Sequence, residues 1–259
     1  MGFGEEGRTS RRRFLAVVGT AALGPGLGVA LHREPIPLAG MTRERVGPKR
    51  RSMRIGIIGS GRQGGAIGLL WAAAGHEILF SSRHPEGLSD LVERAGARAS
   101  AGFPQEAATF GEVVLIAVPY GALPQVGRDH APLMRRKVVI ECGNPRADRD
   151  GLMANDAISK GTGVASAEYL PGVRLVRAFN SVTSRTVEEE AHRTGEKVGI
   201  PVAGDDGDAV EIAVQLIKDA GFEPVVVGPL ARAREFDRGT SVYVTGMTAA
   251  ELRQALSLR

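Results

Sequence analysis

From Met53 onward the chain alternates short apolar runs with stretches in which apolar residues recur every three or four positions. Short runs bounded by Gly, Pro or polar clusters read as buried strands, and the three-to-four spacing reads as amphipathic helix. The pattern predicts strands at Arg54–Ile58, Glu77–Ser81, Ala97–Ala99, Val113–Val118, Lys137–Cys142, Leu175–Phe179, Val198–Ala203 and Glu223–Val227. Helices fall between them, most clearly Gly64–Ala74, Leu88–Arg94 and Asp208–Ala220. In the last of these Ala209, Ile212, Ala213, Leu216, Ile217 and Ala220 recur at helical spacing and read as core. The closing "MTAAELRQALSL" opens on a Thr248/Glu251 capping box and predicts a terminal helix. Asp205 and Asp206 read as the start of the helix after the seventh strand rather than as an acid/base pair. Strands alternating with helices in this way specify an α/β fold, a doubly wound and mostly parallel sheet of about eight strands in a single domain.

The first fifty residues break the pattern. In "TSRRRFLAVVGTAALGPGLGVAL" the pair Arg11 and Arg12 is followed by Arg13, Phe14 and Leu15, then by a weakly apolar run interrupted by Gly19, Gly24, Pro25, Gly26 and Gly28. This resembles a twin-arginine export signal. A membrane-spanning helix needs ~20 predominantly apolar residues, and this run is shorter and broken. Residues 1–31 therefore read as the signal, 32–52 as a flexible Pro- and Arg-rich linker, and 53–259 as the globular domain. Gly28 and Ala30 offer small residues for cleavage after Ala30, and Leu38-Ala39-Gly40 offers a second place. The expectation is export by the twin-arginine machinery to a periplasmic or extracellular location. The competing reading is a chance basic tail, or a true start at Met41 or Met53, which would make the protein cytoplasmic.

Charge sharpens this division. The chain carries a formal +4, but residues 1–52 hold ten Lys/Arg against four Asp/Glu, leaving 23 of the 33 basic and 25 of the 29 acidic residues for the globule. A near-neutral globule without a basic, aromatic-studded stripe argues against nucleic acid as a partner. The single cysteine, Cys142, rules out an intramolecular disulfide framework and any CxxC motif, and reads as a small packed residue. The five histidines show no metal-ligand spacing, so no metal is expected.

The chemistry concentrates in "IGIIGSGRQGGAIG". Gly59, Gly61 and Gly64 directly follow an apolar strand and directly precede a helix, the context in which GxGxxG marks a Rossmann-type pyrophosphate turn. Gly59 suits the tight turn, Gly61 the close approach of backbone to phosphate, and Gly64 the packing of helix on strand. Ser60, Arg62 and Gln63 complete the turn. Such folds usually place Asp or Glu at the end of the second strand to hold a ribose hydroxyl; this chain has Ser81, Ser82 and Arg83. A carboxylate there would repel a 2′-phosphate, whereas serine hydroxyls and a forked guanidinium attract one, so the pocket reads as built for NADP(H) rather than NAD(H). His84 could cover the adenine or the phosphate, but reads first as an exposed turn residue.

"MRIGIIGSGRQGGAIG", "SSR", "LIAVPYGAL", "IECGNP", "LVRAFNSV", "PVAGDD" and "AGFEPVVVGPLARAREFD" occur in the order and spacing of the NADP oxidoreductases that use the deazaflavin coenzyme F-420. The likeness spans residues 53 to about 240 and is similar also to the nucleotide domains of STEAP-type ferric reductases and pyrroline-5-carboxylate reductases. The resemblance implies that Ala117, Val118 and Pro119 border the nicotinamide ribose and that Asn144, Ala178 and Asn180 lie near the nicotinamide face. Asn144 and Asn180 could hydrogen-bond carboxamide or acceptor, or simply cap their loops, and both readings stay open. It also implies a hydride transfer between NADPH and a small-molecule redox acceptor, with F-420 or a flavin as co-substrate. The cofactors carry that chemistry, so no catalytic residue is assigned. Reduction of a small imine or hydroxy acid, or an NADPH sensor without turnover, are the alternatives. A homodimer that completes the acceptor pocket would be ordinary for this fold. Two departures stand out: the family's members typically lack such a leader, and the segment after Asp237 is short.

A twin-arginine signal is read by a receptor, so guanidinium groups should not be replaceable by ammonium groups of equal charge. Changing Arg11, Arg12 and Arg13 together to Lys is expected to retain the protein in the cytoplasm of its host with nucleotide affinity unchanged. Cell fractionation checks it, and wild-type protein recovered uncleaved in the cytosol with its N-terminus at Met41 or Met53 would refute the leader.

Overall fold

A computed structural model describes residues 51–258. The expected signal, its cleavage place and all but the end of the linker lie outside these described residues. The elements in chain order are β1 (Arg54–Ile58), α1 (Arg62–Ala73), β2 (Glu77–Ser81), α2 (Ser89–Ala95), β3 (Ala99–Gly102), α3 (Pro104–Phe110), β4 (Val113–Ile116), α4 (Leu123–His130) and β5 (Val138–Glu141). They continue with α5 (Ala147–Asp150), α6 (Leu152–Lys160), α7 (Thr162–Tyr169), β6 (Arg174–Arg177), α8 (Ser184–Glu190), β7 (Gly199–Gly204), α9 (Gly207–Asp219), β8 (Glu223–Gly228) and α10 (Ala249–Ala255).

All eight strands form one sheet in the order β3-β2-β1-β4-β5-β6-β7-β8, so the fold is Rossmann-like. Every neighbouring pair is parallel except β6 and β7. From β1 the chain winds outward through β2 and β3, then returns to β4 on the other side of β1. The carboxyl ends of β1 and β4 thus flank a topological switch point, where ligands bind in open α/β sheets. The fully apolar runs of β4 and the first three residues of β5 take the centre. The small residues of β3 and the Pro224-bearing β8 take the edges, where a missing N–H is tolerated.

One face of the sheet is covered by α1 and α9 around Trp71, Phe80, Phe179 and Phe222, and the other by helices bearing Ala107, Leu123, Ala157 and Ala165. The Trp71 ring N–H donates to the Leu216 carbonyl at 2.8 Å, tying α1 to α9. A third cluster packs α10 against β8. Thr248 and Glu251 form the expected capping box, and Asp206 caps α9 by accepting from the Ala209 N–H.

Several elements depart from the pattern. The third strand is Ala99–Gly102, not Ala97–Ala99, because pairing of Ile78 with Ala99 sets its register where small residues give no alternation. Helix α1 starts at Arg62, two residues before the predicted Gly64, which brings Gln63 into its first turn. The sixth strand ends at Arg177, since Phe179 has left the extended region with φ +61°.

Glycines let α1 lie close on the sheet. A Cβ at Gly68 would meet the Phe80 ring at 2.3 Å and the Ile57 side chain at 2.5 Å, both fully buried. Overpacking of this kind costs about 1–3 kcal/mol, so Gly68→Ala should lower the unfolding free energy of the full chain by that amount, read in chemical denaturation as a lower midpoint at an unchanged slope.

Candidate functional site

The turn after β1 is shaped for an anion. Gly59 has φ +95°, and a Cβ there would meet the Ala117 carbonyl oxygen at 2.7 Å. Gly64 sits against the Gly59 carbonyl, where a Cβ would approach to 2.3 Å. Gly61 is the opposite case: a Cβ would meet nothing within 4 Å, so this backbone faces open space. No side chain caps the N-terminus of α1, and its first turn holds no acidic residue. The amides of Arg62 and Gln63 and the helix dipole are thereby left for an external anion.

The end of β2 is locked beside this turn. The Ser60 N–H donates to the Ser81 carbonyl at 3.0 Å, and the Ser81 N–H donates to Ser60 Oγ at 2.8 Å. Ser81 is fully buried and its hydroxyl donates to the Ile57 carbonyl at 2.7 Å, so it serves the strand rather than a ligand. Ser82 is half-buried; its oxygen accepts from the His84 N–H at 3.1 Å, leaving its own proton to donate. Arg83 is exposed and has no carboxylate partner among the described residues. His84 is exposed beside Glu86, as expected.

An open cleft of about 670 Å³ runs along the carboxyl ends of the strands. Arg62 and Gln63 line it at the phosphate turn, Ala117, Val118 and Pro119 after β4, Asn144 after β5, and Asn180 after β6. Ala178 is fully buried and does not reach the cleft. The asparagines do hold loops: Asn144 Nδ2 donates to the Asn180 carbonyl at 2.8 Å, and Asn180 Nδ2 donates to Asn144 Oδ1 and the Phe236 carbonyl, both at 3.3 Å. Asn180 Oδ1 is nonetheless buried without a hydrogen-bond partner among the described residues. Buried polar atoms are nearly always paired, so this acceptor is open to a donor from a bound molecule. Cys142 also lines the cleft; burial, then the Glu141 charge, pushes its thiol up to about 12, so it stays protonated at neutral pH.

Beneath the cleft lies a buried ionic cluster that sequence reasoning missed. Arg177, the last residue of β6, is 0% exposed and is paired with the carboxylate of Glu141, its register partner at the end of β5. Its second nitrogen reaches Asp237 Oδ1 at 3.3 Å. Glu141 also accepts from the Gly143 N–H and from the Ser166 hydroxyl at 2.9 Å, and Asp237 accepts from the Thr162 N–H at 3.2 Å and the Thr162 hydroxyl. Burial pushes the Glu141 carboxyl upward, against the pull of Arg177, Gly143 and Ser166. Burial lowers the guanidinium less than Glu141 and Asp237 raise it. An arginine does not deprotonate in a protein, so we take the cluster as ionic. Its signal in the sequence was a charged residue ending each of two adjacent apolar strands.

Also unforeseen were Arg146, Arg149, Arg185, Arg238 and Tyr243, which line the cleft. Arg146 is paired with Asp148, Arg149 with Asp150 and Arg185 with Glu189. Asp206 is held down to about 2 by its hydrogen bonds to Arg174 and to the Ala209 amide, and Asp205 accepts from the Leu230 N–H at 2.9 Å; neither lines the cleft.

Removing one partner of a buried ion pair costs about 3–5 kcal/mol because the other charge is left stranded. Arg177→Met should therefore destabilise the full chain by that amount, measured by chemical denaturation, and a loss under 1 kcal/mol would show that the cluster does not hold the loops.

Residues 54–145 match the family described as NADP oxidoreductase, coenzyme F420-dependent. The chain is 29% identical over 208 residues to the F420-dependent NADP reductase of Methanothermobacter thermautotrophicus, covering 74% of this chain and 88% of that one. It is 25% identical over 195 residues to the metalloreductase STEAP3 of Rattus norvegicus, covering 73% of this chain but only 36% of that protein. A solved structure of a hypothetical protein from Sinorhizobium meliloti superposes with a TM-score of 0.67 at 24% identity, covering 76% of this chain and 96% of the other. The matched residues 54–145 contain the phosphate turn and the carboxyl ends of β1 and β4, and the family and relatives that the chain resembles are NADP-dependent oxidoreductases and a metalloreductase.

Proposed function

We propose that the protein transfers a hydride between NADPH and a flavin or deazaflavin ring. The observation that carries this reading is the cleft, which runs from an uncapped helix N-terminus at the switch point of the sheet to the unpaired Asn180 Oδ1 after β6. In it the amides of the Gly59–Gly64 turn hold the pyrophosphate, and Ser82 and Arg83 hold the 2′-phosphate. Ala117, Val118 and Pro119 border the nicotinamide ribose, and Asn180 Oδ1 accepts from the carboxamide. The bound nicotinamide supplies the hydride. The chain's part is to bind, to orient, and to leave room for a second planar ring at near-attack distance.

A protonated thiol is the ionisation state of Cys142 at neutral pH, in keeping with a reaction that needs no protein nucleophile. Coverage of most of the length of an F420-dependent NADP reductase supports a deazaflavin acceptor over a small imine. The proposal includes export through the leader of residues 1–31, so that the reductase works outside the cytoplasm.

Two measurements test it. Under anaerobic conditions NADPH should be consumed with F420 or a flavin; consumption with cyclic imines alone, or tight binding without consumption, would overturn the acceptor assignment. A charge-assisted contact contributes about 1.5–3 kcal/mol, which is roughly ten- to hundredfold in affinity. Arg83→Ala should lower the ratio of NADPH to NADH affinity by that factor, and an unchanged ratio removes Arg83 from the 2′-phosphate site.

A further inference from the structure

Four successive carbonyls after β6 are held by three separate parts of the chain. Gln63 Nε2 donates to the Phe179 carbonyl at 3.1 Å and to the Val182 carbonyl at 3.4 Å. Asn144 Nδ2 takes the Asn180 carbonyl, and the Val244 N–H takes that of Ser181 at 2.8 Å. Within this segment Phe179 sits at φ +61°, a region that a bulky residue enters at a cost. Such strain persists only where the surroundings over-determine it, and it gathers at functional sites.

Helix α1 grips this strained residue twice. Trp71, from its third turn, packs edge-on against the Phe179 ring at 6.1 Å between centroids. Gln63, from its first turn, takes the Phe179 carbonyl. The first turn of α1 is also where the uncapped amides wait for an anion. Gln63 thus belongs to both halves of the cleft: its backbone is part of the phosphate turn, and its side chain is bonded to the loop that carries Asn180.

We infer that Gln63 is a positioning residue that couples occupancy of the phosphate turn to the order of the acceptor-side loop, residues 179–182. Pyrophosphate on the α1 amides fixes the first helical turn, and the fixed Gln63 amide then holds the Phe179 and Val182 carbonyls. Asn180 Oδ1 is thereby set before the nicotinamide ring meets it. This rests on the dinucleotide reading of the turn, but not on the identity of the acceptor.

The test uses 2′-phospho-ADP-ribose, which carries the pyrophosphate and 2′-phosphate but no nicotinamide. In the wild-type full chain, saturation with this fragment should slow hydrogen exchange of the amides of residues 179–184 by tenfold or more, although the fragment cannot touch Asn180. Gln63→Met keeps the side-chain length and removes the amide. It should bind the fragment within about threefold of wild type, yet lose the ligand-dependent protection of the loop. A merely structural role would raise exchange with and without ligand alike. With NADPH and whichever acceptor wild type reduces, the same variant should lower the single-turnover hydride-transfer rate at least tenfold and weaken NADPH binding by less than that, the part of its affinity owed to the carboxamide on Asn180. Equal protection in wild type and variant overturns the coupling alone; an affinity loss matching the rate loss makes Gln63 a nucleotide contact instead. Failure of wild type to bind the fragment overturns the dinucleotide reading, and the coupling with it.

Discussion

Arg177 is the constraint around which the catalytic end of the sheet is built. A guanidinium at 0% exposure needs counter-charges, and its two carboxylate partners come from places far apart in the chain, Glu141 at the end of β5 and Asp237 after β8. Glu141 in turn holds the Gly143 amide at the head of the loop carrying Asn144. Asp237 follows Phe236, whose carbonyl accepts from Asn180. One buried charge therefore orders three segments that meet at the cleft. Well-packed apolar residues could match such a cluster in stability, so its value here is the specific placement of the three segments it joins.

The division between what the sequence disclosed and what it hid follows from the range of each interaction. Gly59, Gly61 and Gly64 were legible because their roles are local: a positive φ, an open approach and a close contact, all within one turn. The Asp206 and Thr248 caps were legible for the same reason. Helices α3 to α8 were not, since most span only about two turns and are rich in Ala, Gly and charged residues, too short for a periodic signal to emerge. Nor was the role of Ser81, whose residue type suited a 2′-phosphate but whose hydroxyl is consumed by Ile57 across the strand pair. Position at a strand end is readable from pattern; the direction of a hydroxyl depends on a neighbour twenty-four residues away.

The asparagines show the limit more closely. Asn144 and Asn180 could be read either as loop caps or as ligand contacts, and the structure makes the alternatives compatible. An amide side chain has two donors and an acceptor. In Asn180 the donor side is spent on Asn144 and Phe236, while Oδ1 is left over. Holding the loop with one end leaves the other for the proposed ligand contact.

The packing of α1 on the sheet connects this end of the molecule to its core. Small residues on the inner side of α1 bring its axis close to β1, and Trp71 anchors it to α9 through the Leu216 carbonyl. That closeness sets the height of the first helical turn above the carboxyl end of β1, and so the place of the amides that face Gly61. The same helix carries Trp71 against Phe179 and Gln63 against its carbonyl. A shift of α1 by even a few tenths of an ångström would move the phosphate turn and the Asn180 loop together. In the proposed hydride transfer, where reacting atoms must lie about 3–3.5 Å apart, the phosphate turn and the Asn180 loop are best held by one rigid element, and α1 contacts both.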